Sequence, residues 1–514
     1  MVMLVDRVLA MPAWGGCQRL AESASVSRRN YATLLMDDSY QDFLDQKLHT
    51  GAAHGFEPIW LPPQLFDFQQ SLVTWAIRKG RAAIFADCGL GKTAMQLTWA
   101  ENVARHSGKP VLILAPLAVA PQTIREGEKF GIECHRSIDG DVAGRIVITN
   151  YERLEHFSPG DFAGVVCDES SILKSFAGAT RKSLVRFMAK IPYRLLCTAT
   201  AAPNDYTELG NSSEALGELS YSDMLRRFFA QLDDKGQKRE ESQQRMAEEM
   251  VSANANYYKK LAFRISQTIG QWRLKHHARE HFWRWVASWA RACRMPSDLG
   301  FANDGYILPE LIERDHIITP TTPPEGMLFC VPAFGLAEER EERKRTLIER
   351  CDLAAKLVQH DQPAVIWCHT NAEGDRLESI IPDSGQIAGR TSDDRKIDLY
   401  NDFATGKLRV LIIKPKIGAW GLNWQHCAHV VTFASHSYEQ YYQSVRRCWR
   451  FGQTRPVQVD VIATIGESRV LGNMRSKSKR ADVMFAELVQ QMNSSLKIER
   501  PSEFNTPTAI PQWL

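Results

Sequence analysis

No excess of charge of one sign marks this chain: 63 Lys and Arg stand against 60 Asp and Glu, a formal net charge of +3. A chain-wide basic surplus, the footprint of many nucleic-acid binders, is therefore missing, and any such binding has to come from a local basic groove. Long apolar runs are also missing. No stretch approaches the ~20 residues that span a bilayer. The opening MVMLVDRVLAMPAWGG has the outline of a signal peptide, but Asp6 and Arg7 interrupt its apolar run. The eleven cysteines are scattered singly, with no C-x-x-C pair and no Cys/His spacing of a zinc site, which fits reduced thiols. There is no internal repeat or low-complexity tract. These absences lead us to expect a soluble, cytoplasmic protein with no membrane partner.

What is present is enough apolar residue, 44% beside 24% charged, to bury sizeable cores. Short Val/Ile/Leu-rich runs recur at 82–85, 111–115, 146–149, 165–167 and 194–197, then again at 364–368, 410–413, 430–433 and 457–462. Continuous rather than alternating hydrophobicity suits strands of parallel sheets covered on both faces. The fold class expected is α/β, with two units over 61–212 and 340–470. Residues 213–339 change texture. They begin with a charged helix-prone stretch, pass through WRLKHHAREHFWRWVASWARACR, and end in Pro-containing loops, so a helical insertion or linker is expected there. Residues 1–60 and 471–514 read as an N-terminal extension and a C-terminal helical tail.

Three signals carry chemistry. Ala86-Asp87-Cys88-Gly89-Leu90-Gly91-Lys92-Thr93 follows a strand and opens a helix. Glycines such as Gly89 and Gly91 let backbone N–H groups wrap a phosphate, to which the helix N-terminus adds partial positive charge. Lys92 is placed to contact the β/γ-phosphates, and the Thr93 hydroxyl to ligate Mg²⁺. Downstream, the apolar run 164–167 ends in Asp168-Glu169-Ser170-Ser171: Asp168 suits a Mg²⁺ ligand, and Glu169 suits orienting or deprotonating an attacking water. The third signal, Gln443-x-x-x-Arg447-x-x-Arg450-x-Gly452-Gln453, lies in the second unit, with charges at 446, 447 and 450 on about one helical turn. An ATPase whose P-loop sits in another domain needs arginines supplied across the cleft, and Arg447 and Arg450 are the candidates.

The ordered series resembles the superfamily 2 helicases, and within them the SWI/SNF-like branch, particularly compact members encoded by phages and bacterial mobile elements. Leu65-Phe66-Asp67-Phe68-Gln69 resembles the Q motif, and ADCGLGKT motif I. Ala115-Pro116 with Glu126 resembles motif Ia, and Thr149-Asn150-Tyr151-Glu152 the strand-end motif that follows. DESS resembles motif II, and Thr198-Ala199-Thr200 followed by Pro203-Asn204 motif III. Ala364–Cys368 resembles motif IV, Gly418 with Gly421-Leu422-Asn423 motif V, and the Gln/Arg pattern motif VI. The resemblance covers roughly residues 61–470. It implies two tandem RecA-like P-loop domains, ATP and Mg²⁺ in the cleft between them, and DNA, duplex or branched, running across both. Gln69 would then read adenine, Gly421 and Gln443 would contact the nucleotide, and Pro116, Asn150, Tyr151 and Asn423 would lie toward nucleic acid. The sequence departs from the branch in three places: one residue instead of two separates Asp87 from Gly89, Pro415 stands where Ser or Thr usually begins motif V, and Ala419-Trp420 replaces Gly-Val.

Residues 272–294 interleave Trp272, Phe282, Trp283, Trp285 and Trp289 with Arg273, Lys275, Arg279, Arg284, Arg291 and Arg294. Two readings stand side by side. Basic and aromatic residues, Arg284 and Arg291 among them, could meet phosphates and bases. Alternatively, Phe282, Trp285 and Trp289 at i, i+3 and i+7 form a stripe that packs on neighbouring helices. The activity expected is a DNA-dependent ATPase that translocates on double-stranded DNA. Its alternatives are a strand-separating or branch-migrating helicase and an ATP-binding nucleic-acid clamp without turnover.

Overall fold

The computed structural model describes residues 54–116, 119–174, 178–202, 205–231, 268–269, 272–323, 330–333, 335–418 and 423–499. Its strands run in chain order β1 (Arg81–Ala86), β2 (Val111–Ala115), β3 (Cys134–Arg136), β4 (Ile146–Asn150), β5 (Gly164–Asp168), β6 (Tyr193–Cys197), β7 (Phe229–Gln231), β8 (Thr268–Ile269), β9 (Trp272–Leu274) and β10 (Ala290–Cys293). Then come β11 (Leu311–Ile318), β12 (Ala364–Trp367), β13 (Ser384–Ile387), β14 (Val410–Ile413), β15 (His429–Phe433) and β16 (Val457–Thr464). The helices used below are α1 (Asp67–Lys79), α2 (Lys92–Ser107), α3 (Arg279–Trp289), α4 (Tyr438–Val445) and α5 (Ser468–Glu499).

Two all-parallel sheets organise these elements. The first has the order β10-β1-β6-β5-β2-β4-β3, the second β11-β16-β15-β12-β14-β13, and β7, β9 and β8 form a small antiparallel ribbon. The α/β class with two parallel sheets is as the sequence implied. Successive side chains of a strand point to opposite faces, and both faces of each sheet are covered. Ala83 and Phe85 of β1 enter one core while Ala82, Ile84 and Ala86 enter another. In β12, Val365 and Trp367 divide in the same way from Ala364 and Ile366. This double burial is why the strands read as unbroken apolar runs.

The stretch 213–339 is more than a helical linker. Its β10 pairs with β1, Ala86 opposite Cys293, so a strand from beyond residue 212 completes the first sheet beside the P-loop. Its β11 pairs along all eight residues with β16 and so belongs to the second sheet. Both were hidden in the sequence for physical reasons: β10 is four residues appended to a helix, and β11 is an edge strand whose Glu313, Arg314 and Asp315 interrupt any apolar run. Residues 272–294 are likewise not one helix, since α3 spans only Arg279–Trp289, between β9 and β10. Phe282, Trp283, Trp285 and Trp289 are all buried in the core of the first lobe, with Phe228 against Phe282 at 5.4 Å and against Trp285 at 5.3 Å between ring centroids. Packing is therefore the role of the aromatics.

Helix α5 bridges the two lobes. Val470, Leu471 and Met474 near its start lie in the core of the second lobe, and Met484, Leu488, Val489 and Met492 in that of the first. Among the described residues, no helix is long and apolar enough to cross a membrane, and no group of His, Cys, Asp and Glu has the makings of a metal site.

Candidate functional site

The site lies at the carboxyl ends of β1, β5 and β6, where open α/β sheets bind ligands. After β1 the chain turns through Gly89 (φ 91°) and Gly91 (φ 77°), and α2 begins at Lys92. Glycine is required at both positions for space as well as for conformation. A Cβ at Gly91 would sit 2.3 Å from Gln69 Nε2, and one at Gly89 would sit 2.9 Å from the backbone nitrogen of Phe451, in the second lobe. The loop thus offers the open N-terminus of a 16-residue helix, with the N–H groups of Lys92 and Thr93 in its first turn. Lys92 Nζ donates to the carbonyls of Ala86 (2.9 Å) and Asp87 (3.2 Å), which holds the ammonium against the loop.

Gln69 is buried, and its carboxamide works within the first lobe. Nε2 donates to the carbonyl of Leu90 at 2.9 Å, and Oε1 accepts from the backbone N–H of Phe66 at 3.1 Å, closing the first turn of α1. A carboxamide has two N–H donors and two lone pairs, so one of each remains.

The two acids differ in setting. Asp168 ends β5, and its Oδ1 accepts from Gln96 Nε2 at 2.7 Å, one turn into α2 from Lys92. Glu169 has a left-handed backbone (φ 54°), a conformation that non-glycine residues adopt at a cost of about 1–3 kcal/mol and that clusters at functional sites. Its Oε1 accepts from Thr198 Oγ1 at 2.9 Å and from Gln443 Nε2 at 3.3 Å. Burial raises both carboxyls above their ordinary range, while the charges of Lys92 and Arg447 act in the opposite direction. A raised carboxyl beside a cation is the setting in which a general base works near neutral pH.

The second lobe reaches this cluster through α4 and the turns after it. The arginines do not lie on one α-helix, because α4 stops at Val445 and 446–452 are turns and bends. Each guanidinium therefore takes its own direction. Arg447, buried, bonds the carbonyl of Gln443 at 3.1 Å, and its charge bears on Asp168 and Glu169. Arg450 donates to Asn423 Oδ1; burial, with Arg447 alongside, lowers it to about 10, so it stays charged at neutral pH. Arg446 pairs with Asp87 of the P-loop. Thr200 Oγ1 donates to Glu439 Oε1 at 3.1 Å, a further bond between the lobes.

Several residues read toward nucleic acid sit elsewhere. Tyr151 is buried, and its hydroxyl donates to the carbonyl of Asp168 at 2.7 Å; it braces the strand that carries the acids. Arg291 is buried within β10, its guanidinium 4.2 Å from the centroid of Trp75 and bonded to the carbonyl of Ala290 at 3.0 Å. Neither is available to a nucleic-acid backbone, because the apolar faces on which they lie are the ones that pack. Arg284 is more open and pairs with Glu280 at 2.9 Å, one turn away. Asn150 ends β4, half-buried, and Pro116 follows β2, also half-buried. Gly421, Leu422, Pro203 and Asn204 lie outside the described residues. The sequence pattern gave no role to Gln96 or Tyr442, nor to Asp87 and Arg446, although Asp87 stands in the phosphate loop and Arg446 among the three clustered charges. Gln96 carried a further local signal, its place four residues after Lys92 on the same helix face.

The second lobe matches the family model "Helicase conserved C-terminal domain" over residues 344–452. The chain is 24% identical over 468 residues, 80% of its length and 96% of the relative's, to "Putative protein p41" of Acyrthosiphon pisum secondary endosymbiont phage 1. It is 27% identical over 203 residues to the mouse "DNA annealing helicase and endonuclease ZRANB3", a match that covers 35% of this chain and 18% of the mouse protein. Among solved structures, similar chains include the Sulfolobus solfataricus SWI2/SNF2 ATPase core in complex with dsDNA (TM-score 0.37, 16% identity, 86% of this chain and 97% of that one). Another is S. cerevisiae Dbp5 bound to RNA and ADP BeF3 (TM-score 0.46, 12% identity, 83% and 93%). The second lobe thus matches a helicase C-terminal domain, and the chain as a whole, with two parallel sheets facing one cleft, is similar to superfamily 2 helicases of the SWI/SNF-like branch.

Proposed function

We propose that the protein is a DNA-stimulated ATPase that translocates on double-stranded or branched DNA, in the cytoplasm of a bacterial or phage-infected cell. The observation that carries this reading is Glu169. The acid best suited to act on water belongs to the first lobe, yet its carboxylate is held both by Thr198 of that lobe and by Gln443 of the second. Catalysis is thereby tied to the juxtaposition of the lobes, as a motor requires.

The donor set fits Mg²⁺–ATP. A helix N-terminus preceded by two glycines that a Cβ would crowd carries an ammonium and a hydroxyl in its first turn, and the charge of Lys92 bears on the buried Asp168 carboxylate at the end of β5. When bound, the nucleotide supplies the phosphoanhydride to be cleaved. Lys92 would bind its phosphates, and Thr93 and Asp168 would hold the metal. Glu169 would orient the water and take its proton, while Arg447 and Arg450 would offset charge that develops on the phosphoryl oxygens. Gln69 and Gln443 would contact the nucleotide. DNA that touches both lobes would favour the arrangement in which these groups meet.

The decisive assay is the ATPase rate of the full chain without nucleic acid and with single-stranded DNA, duplex DNA, forked DNA and RNA. Strong stimulation by duplex or forked DNA supports the proposal. Equal rates in all arms would refute nucleic-acid coupling, and stimulation by RNA alone would refute the substrate class.

A further inference from the structure

Asp87, the first polar residue of the P-loop, is held from both sides of the cleft. Its backbone N–H donates to the carbonyl of Cys293 in the first lobe at 3.0 Å. Its carboxylate accepts from the N–H of Cys88 at 2.6 Å, a bond internal to the loop. The same carboxylate accepts from Tyr442 Oη and from Arg446 Nη2, 359 residues away in sequence. Both charged partners are buried, Asp87 at 6% exposure and Arg446 at 7%. The guanidinium is itself fixed: it lies 4.5 Å from the ring centroid of Trp449 and 5.3 Å from that of Tyr442, and Nη1 donates to the Trp449 carbonyl at 3.3 Å. The carbonyl of this same Asp87 is one of the two that hold Lys92 Nζ.

Taking two charges out of water is expensive, and a buried ion pair is weak support for stability as such. Its geometric consequence is firmer. An aspartate whose carboxylate bonds its own loop and a guanidinium of the other lobe, and whose backbone carbonyl holds Lys92, cannot keep all its partners if the lobes shift. We infer that Arg446 and Tyr442 are positioning residues for the P-loop: by holding Asp87 from across the cleft, they make nucleotide affinity depend on how the lobes are juxtaposed. The inference rests on the nucleotide-binding reading proposed above and adds residues that act through Asp87 without touching the nucleotide.

The test uses the full-length chain and two readouts, affinity for a fluorescent ATP analogue with Mg²⁺ and thermal unfolding, on Asp87→Asn, Arg446→Gln, Tyr442→Phe and the double variant Asp87→Asn/Arg446→Gln. Each single charge removal leaves the other charge buried alone and lowers the melting temperature. The double variant removes both charges and regains most of that loss. The inference expects affinity to behave differently, about tenfold weaker in Arg446→Gln and still about tenfold weaker in the double variant, within the usual range of coupling between sites. Tyr442→Phe, which leaves no charge unpaired, should weaken binding to a smaller degree. Affinity that recovers along with thermal stability, or that never changes, would overturn the positioning role and leave the nucleotide-binding reading intact. Wild-type protein that fails to bind the analogue would overturn that reading and this inference together.

Discussion

Gln443 Nε2 donates to Glu169 Oε1 at 3.3 Å across 274 residues of sequence, and Thr198 donates to the same oxygen at 2.9 Å. One carboxylate oxygen thus reports on motif II, motif III and motif VI at once. Its direction is set by the left-handed backbone at Glu169, which turns the side chain away from the course of β5.

Replacing the acid and the P-loop lysine should separate binding from hydrolysis. Glu169→Gln keeps the hydrogen bonds but cannot accept a proton, so ATP should still bind while turnover falls by about 10² or more. Lys92→Ala should weaken binding itself. Nucleotide titration alongside single-turnover hydrolysis measures both. Near wild-type hydrolysis by Glu169→Gln in the presence of duplex DNA would remove the acid from its assigned role.

Arg450→Ala should cut DNA-stimulated hydrolysis by about 10³, the range of other arginine fingers, with a much smaller effect on ATP binding. Burial, with Arg447 alongside, lowers Arg450, yet the guanidinium keeps its charge through neutral pH, so the effect of the substitution should not depend on pH there. Intact stimulation in the variant would refute a motor in which the second lobe completes the site.

Gln69→Ala separates two roles of one side chain. If the remaining donor and acceptor read adenine, the variant loses its preference for ATP over GTP. If the carboxamide only supports Leu90 and the first turn of α1, hydrolysis of both nucleotides falls together. Rates with the two nucleotides, wild-type against variant, distinguish these outcomes, and a wild-type enzyme indifferent to the base would dismiss the adenine role.

A fragment of residues 1–212 should not fold cooperatively. It lacks β10, the partner of the P-loop strand, and the buried Phe282, Trp283, Trp285 and Trp289. Within the whole chain, Trp289→Ala alone should cost about 3–5 kcal/mol. Denaturant unfolding followed by far-UV circular dichroism checks both, and a sharp transition in the short fragment would contradict the assignment of α3 and β10 to the first lobe.

In the second lobe, Asp460 is wholly buried. Burial alone would push its carboxyl up, but hydrogen bonds from His429 (2.7 Å), His316 (2.8 Å) and Gln458 (2.7 Å) outweigh that and hold it well below the carboxylate range. A depressed folded-state value means that the stabilisation is fully present above the unfolded value near ~4 and is lost as pH falls below it. His360, bonded to His429, is lowered by burial and by the neighbouring His429 and Arg409, so it too loses stability on acidification, from about pH 6.5 downward. Urea unfolding should show stability declining from pH 7 to pH 3. Asp460→Asn should cost about 3 kcal/mol at pH 7 and progressively less at acid pH. A variant whose deficit stayed constant with pH would show that the aspartate's charge is not what the network uses.

The continuous apolar strands such as β1, β5 and β12, the P-loop and the two acids could be read directly from the sequence, because each depends on residues that are neighbours in the chain. A buried parallel strand must be apolar throughout, a phosphate loop needs its glycines, and an acid at a strand end is local chemistry. Tertiary structure alone decided what those signals meet. It placed β10 beside the P-loop although an aromatic helix precedes it, and β11 at a charged sheet edge. It turned the tryptophans, Tyr151 and Arg291 inward, and ended α4 at Val445, so that Arg446, Arg447 and Arg450 serve three different partners. The pairing of Arg446 with Asp87 left no trace in either local segment, since spacing along a chain constrains side chains only within a turn or a strand, whereas contact across a cleft follows from how two separately packed cores are brought together.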